Sequence, residues 1–111
     1  MDPIALILAA LAAGAQDTAA APVRDACAAL MAQLRMRFAG RADGEAALAR
    51  YEESAPGWEA ALGAELEAAG ADADEGLLTE AQAVMSVADA PGWRAGKYTI
   101  QGPGGQDRPG E

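Results

Sequence analysis

From residue 4 to residue 15 the chain runs Ile-Ala-Leu-Ile-Leu-Ala-Ala-Leu-Ala-Ala-Gly-Ala, with no charged or hydrogen-bonding side chain. A helix this apolar on every side is either buried among other elements or in contact with lipid, because no face of it suits water. At about 1.5 Å per residue the run spans roughly 18 Å, too little to cross a hydrocarbon layer of roughly 30 Å alone. It is therefore expected at the centre of a bundle at rest, or in lipid only in company with other copies. Asp2 and Pro3 precede it. An aspartate can cap the free amides, and a proline at the first helical position loses no needed N–H. Ala13-Gly14-Ala15 resembles a secretory cleavage site, yet the run is preceded by Asp2 and by no lysine or arginine. That is the reverse of a signal-peptide n-region, so a cytoplasmic chain is expected.

The chain's 51% hydrophobic content does not promise a thick core, because more than half of it is alanine. Only Phe38, Tyr51, Trp58, Trp93 and Tyr98 are aromatic. Alanine is the best helix former and few β-branched residues compete with it. The expectation is an all-α fold, a bundle of four to five helices with closely approaching backbones, in one domain of 111 residues.

Apolar spacings place the other helices. Val23, Cys27, Leu30, Leu34 and Phe38 follow one another at steps of four and three, the mark of one helix face. This second helix is expected from Asp17 to about Phe38, with Pro22 marking a start or a bend, and Gly40 closing it. Asp43 opens a third helix through Leu48 and Tyr51 to about Glu53, and Ser54-Ala55-Pro56-Gly57 breaks it. Trp58, Leu62, Leu66 and Ala69 form the face of a fourth, ended by Gly70. Asp72 or Asp74 caps a fifth, with Leu77, Ala81, Val84 and Ala88 on one face, stopped at Asp89-Ala90-Pro91-Gly92. The bundle is thus expected over residues 1–93. Residues 94–111, with the strand-like Lys97-Tyr98-Thr99-Ile100 and then Gly102-Pro103-Gly104-Gly105, have too little apolar surface to order themselves and read as a flexible tail.

The charge and residue types exclude several kinds of chemistry. A net charge of −9 disfavours nucleic acid, which needs a basic face. The charge is uneven. Residues 42–93 hold twelve acidic side chains against Arg50 alone, while residues 1–41 hold Arg24, Arg35, Arg37 and Arg41 against three aspartates. With no histidine and one cysteine, Cys27, neither an internal disulfide nor a Cys/His zinc site can form, and no base activates the thiol. No metal, no cofactor and no enzyme activity is expected. The carboxylates read as solvated helix faces and caps. Arg35, Arg37 and Arg41 sit among apolar neighbours and can meet lipid phosphates. The plainer account is compensation of a helix dipole and pairing with the acidic half, since three charges are fewer than the ~4–8 of typical lipid-binding clusters.

Four stretches together carry a family resemblance: residues 1–15, the segment from Arg35 ending Phe38-Ala39-Gly40-Arg41, the run Trp58-Glu59-Ala60-Ala61-Leu62, and Ala95-Gly96-Lys97-Tyr98-Thr99-Ile100. They look like small proteins of high-GC bacteria in which a helical domain precedes a short amyloid-signalling segment. The helical part resembles the Bell domain, the bacterial counterpart of the fungal HeLo-type and mixed-lineage-kinase-like four-helix domains. That resemblance implies a cell-death effector in bacterial immunity or antiviral defence that permeabilises membranes through its first helix. It implies insertion by Ile4, Leu6, Ile7, Leu8 and Leu11, attraction of anionic headgroups by Arg35, Arg37 and Arg41, and signalling through Tyr98, Ile100 and Gln106. The implied partners are membrane lipids on activation, further copies of the chain and a signalling protein that meets the tail. The implied movement is from the cytoplasm to the inner face of the cell membrane. The tail departs from the group's pattern: Gln106 lies between Gly105 and Asp107, and Pro103 and Pro109 remove hydrogen bonds that a cross-β segment needs. It therefore reads as a degenerate signalling segment. The rival reading is a soluble helical adaptor that binds partner proteins and keeps its first helix buried throughout.

Overall fold

The computed structural model describes residues 2–16 and 18–99. Its helices are α1 (Pro3–Gly14), α2 (Ala21–Arg37), α3 (Ala42–Glu53), α4 (Ala55–Ala68), α5 (Glu75–Ala88) and α6 (Ala90–Arg94), with one 3-10 turn at Ala71–Ala73 between α4 and α5. The described residues are all helix and turn, as the composition requires. The count is six rather than four to five. The sixth helix begins where a stop was expected: Asp89 caps it by accepting from the Gly92 amide at 3.2 Å, and Pro91 in its first turn has no N–H to leave unpaired. At the expected break Ser54-Ala55-Pro56-Gly57, α3 ends at Glu53 and α4 opens with Pro56 in its first turn.

Two other helix starts are decided by local chemistry. In α2 the regular helix begins at Ala21, with Pro22 in the first turn, rather than at Asp17, which lies outside the described residues. For α5 the cap is Asp74, whose Oδ1 accepts from the Leu77 amide at 3.1 Å, while Asp72 falls in the 3-10 turn. Gly40 and Gly70 follow α2 and α4 with φ of 82° and 76°, the left-handed geometry that lets a helix end within one residue.

α1 lies in the middle. It packs on α5, α2 and α4, and touches the 3-10 turn. Ala13 and Gln16 share one groove with Ala20, Val23, Val87 and Ala88. The end of α1 therefore lies beside the end of α5 and the start of α2, so α1 and α5 run parallel and α2 runs against both. Leu6, Ile7 and Ala10 of α1 meet Leu30 and Leu34 of α2, Leu62 and Leu66 of α4, and Leu77, Ala81 and Val84 of α5 in one continuous core. Trp58, expected on the buried face of α4, stays 39% exposed with the Arg50 guanidinium 5.9 Å from its ring centre. Ala88 is likewise exposed.

Small residues set the helix spacing. A methyl group at Gly14 would overlap both Sγ and Cβ of Cys27, and one at Gly44 would overlap the Phe38 ring. At Gly63, by contrast, an added Cβ meets only Leu8 Cδ1 at 3.4 Å and Ile4 Cγ2 at 3.7 Å, ordinary contact distances. The two glycines should therefore respond oppositely to alanine. Gly14→Ala is expected to lower stability by about 1–3 kcal/mol through overpacking. Gly63→Ala, inside α4, should raise it by up to about 1 kcal/mol through helix propensity. Urea denaturation of the two variants checks both signs.

Candidate functional site

The five residues expected to insert into lipid occupy two environments. Ile4, Leu6, Ile7 and Leu11 are core, with 6%, 0%, 0% and 2% exposure. Leu8 lies half-buried at the edge, against Gly63 of α4. No side chain of α1 itself can donate or accept a hydrogen bond. The one polar tie at this end is its cap, where Asp2 Oδ2 accepts from the Ala5 amide at 2.9 Å. The hold on α1 is therefore apolar packing. Fully burying four such side chains is worth on the order of 6–12 kcal/mol, similar to the ~5–15 kcal/mol total stability of an ordinary domain. In water, then, α1 stays. Lipid tails offer the same apolar contact that the bundle offers. No described helix is long and apolar enough to cross a membrane.

The three arginines do not converge on one surface. Arg35 Nη2 pairs with Glu52 of α3 at 3.1 Å. Arg37 Nη2 pairs with Asp74, the cap of α5, at 3.1 Å. Arg41 Nη2 donates to the Ala68 carbonyl at the end of α4, at 3.2 Å. Each thus reaches a different element from the C-terminal end of α2, and together they pin that end of the bundle. Arg35 and Glu52 are well exposed, so their pair contributes at most about 1 kcal/mol. The Arg37–Asp74 pair is better shielded, and the buried Arg37 Nε has no hydrogen-bond partner among the described residues. At rest, pairing with the acidic half describes Arg35 and Arg37, while Arg41 is held by a backbone carbonyl; headgroup binding would require all three to exchange those partners.

Of the three tail residues, Ile100 and Gln106 lie outside the described residues. Tyr98 does not belong to a free tail: it is 4% exposed and part of the core. Its hydroxyl donates to Asp89 Oδ2 at 2.6 Å, and Gln82 Nε2 of α5 reaches its carbonyl at 3.5 Å. Lys97 Nζ lies 3.7 Å from the same Asp89 oxygen and 5.4 Å from the centre of the Tyr98 ring. The flexible segment expected from residue 94 is therefore folded as far as Thr99, and the boundary drawn at 93 cuts through packed structure. Composition averaged over the segment missed this because a single aromatic ring with a matched acceptor is enough to bring a short turn down onto the bundle. Asp89 and Gln82, the residues that receive it, gave no signal in the sequence beyond a helix stop and a polar position.

Cys27 is half-buried in a groove of about 230 Å³ lined also by Leu11, Gly14, Met31 and Tyr51. Burial pushes its thiol pKa up, which leaves it protonated and unreactive at neutral pH. Among the described residues no group of acidic or cysteine side chains is arranged to hold a metal ion. Comparison of the chain with family models, with curated proteins and with solved structures gave no match.

The Tyr98 hydroxyl, then the Gly92 amide and the Lys97 ammonium, hold the Asp89 carboxyl below its ordinary pKa. A carboxylate whose pKa is lower in the folded state stabilises fully above its unfolded value of about 3.9. That contribution fades as pH falls from there through the lowered native value. Asp89→Asn should therefore remove part of the acid-side loss of stability while leaving the α6 cap in place, since asparagine caps as well as aspartate. Thermal melts between about pH 2 and pH 7 should show a shallower acid limb for the variant.

Proposed function

We propose that this chain is a membrane-targeting, lesion-forming cell-death effector of a bacterial defence system, acting through transfer of α1 from the bundle to lipid. The observation that carries this reading is the nature of the hold on α1: a charge-free helix at the centre of the fold, retained by apolar packing alone. Such packing is exchangeable for lipid contact at small net cost, whereas a helix held by buried ion pairs would forfeit them. Because α1 is shorter than a hydrocarbon layer is thick, it acts as an oligomer that lies in or thins the layer. The family resemblance of residues 1–15 and of the Arg35–Arg41 region supports the same role. Arg35 and Arg37 exchange their carboxylate partners, and Arg41 the Ala68 carbonyl, for headgroup phosphates once α1 has left, and the segment after Tyr98 meets the signalling partner. The chain works from the cytoplasmic side, moving to the inner face of the membrane.

The rival reading, a soluble adaptor or scaffold, is favoured by the same centrality: with Leu6 and Ile7 fully buried, α1 is also the keystone of the core. Leu8 separates the two, because it is the large α1 side chain that is only half-buried, while Ile4, Leu6, Ile7 and Leu11 are buried. A charged residue at the middle of an inserted helix costs roughly 2.5–3.5 kcal/mol, on the order of a hundredfold in insertion. Dye release from anionic liposomes by the full chain should therefore fall sharply in Leu8→Asp. Ala5→Asp, on the exposed side of α1 one turn earlier, should also weaken release without disturbing the resting fold. Circular dichroism of both variants checks that their helices are kept. Equal release from folded wild type and both variants, or no liposome binding by any of them, would favour the adaptor.

A further inference from the structure

A buried hydroxyl without a partner lines the groove beside the end of α1. Tyr51 of α3 is 5% exposed, yet its hydroxyl makes no hydrogen bond among the described residues. Buried tyrosine hydroxyls ordinarily find one. The oxygen is not sealed in either. Among the described side chains the enclosed atom without a partner is Arg37 Nε, so the Tyr51 hydroxyl keeps contact with open space. Tyr51 lines the groove of about 230 Å³ that Cys27 shares. Burial first, then the carboxylate of Glu59 and the thiol of Cys27, raise the Tyr51 pKa, which places the phenol oxygen within electrostatic reach of Cys27. The phenol therefore keeps its proton at neutral pH and has a free O–H to donate.

The surroundings of that hydroxyl set the chemistry of a ligand. Leu11 and Gly14 of α1 face Cys27 and Met31 of α2, and Glu52 lies beside Tyr51 on the α3 side. The Cys27 thiol is protonated, so the charged side chain in the groove is Glu52, which is already paired with Arg35. No cationic side chain lines the groove among the described residues. An anion would meet Glu52 with no counter-charge, which disfavours it. The walls are otherwise apolar, and the sulfur atoms of Cys27 and Met31 make favourable contacts with aromatic rings. A dry cavity of about 150 Å³ holds one benzene molecule, so this groove has room for such a ring with a short substituent. We propose that the groove between α1, α2 and α3 is a binding site for a neutral, single-ring aromatic compound carrying one hydrogen-bond acceptor. The ring lies against Met31 and Cys27, and the acceptor takes the Tyr51 O–H. Because three helices supply the walls, the site belongs to the folded resting state, and it holds under either reading of α1.

Acetophenone and cumene test the site as a pair, since they have nearly the same shape and only acetophenone has an acceptor. The full chain, labelled at its methionine methyl groups, is titrated with each and followed by NMR, with the Met31 signal assigned through Met31→Leu. In wild type, acetophenone should shift the Met31 methyl saturably and leave that of the exposed Met36 in place. Tyr51→Phe removes a hydroxyl that no other residue holds, so the variant should melt as wild type does. It should weaken acetophenone about fivefold, the loss of one neutral hydrogen bond, and leave cumene unchanged. Benzoate, of similar size but anionic, should not bind at Met31. A Met31 signal that acetophenone does not move overturns the site on wild type alone. Equal responses of acetophenone and cumene to Tyr51→Phe, or benzoate bound as tightly as acetophenone, overturn the assigned chemistry.

Discussion

The burial of one charge-free helix governs this structure. α1 has no polar side chain with which to face water, so the other helices must cover it, and they can do so because small residues let them come close. Gly14 against Cys27 and Gly44 against Phe38 are positions where even a methyl group has no room. In a chain whose hydrophobic content is mostly alanine, that closeness replaces side-chain bulk: short side chains fill a core only if backbones approach. The large side chains that do exist are placed where it matters, with Leu6, Ile7, Leu30, Leu34, Leu62, Leu66, Leu77 and Val84 all fully buried around the α1 axis.

Charge plays the secondary part. The acidic excess of the second half is carried mainly on exposed faces of α3, α4 and α5, where water solvates it. The arginines of the α2 end tie that half back through contacts to α3, α4 and α5. None of these contacts involves α1. The molecule thus separates two kinds of cohesion: polar clamps hold the outer helices to one another, and apolar packing holds the central one. A helix held only by the second kind can be exchanged for a lipid environment without breaking the first, which is why the same architecture serves either a membrane effector or a durable scaffold and why a single side chain at the rim of α1 distinguishes them.

Much of this was legible in the chain itself. Four- and three-residue steps in apolar character placed α2 through α5, because a helix with one buried face must repeat at that period. Pairing of the arginines with the acidic half was also foreseeable from the lopsided charge. Less legible were features set by a single contact. Asp89-Ala90-Pro91-Gly92 ends α5 as its residues suggest, and the same residues also begin α6, where the Gly92 amide donates to Asp89. Tyr98 sits in a segment whose composition is that of a tail, and only its fit beside Gln82 and Asp89 brings it inside. Trp58 has the right spacing for the core and remains at the surface beside the Arg50 guanidinium, while Leu62 and Leu66 of the same face are fully buried.

Helicity, the need to shelter residues 4–15, and the absence of histidine chemistry follow from residue types and their order, since each depends on propensity, solvation or the presence of a functional group. Which helix occupies the centre, which carboxylate meets which arginine, and what receives Tyr98 depend on surfaces brought together from distant positions. Those choices rest on steric fit at a few points, notably Gly14, Asp74 and Asp89, and fit between remote surfaces is a property that no local pattern carries.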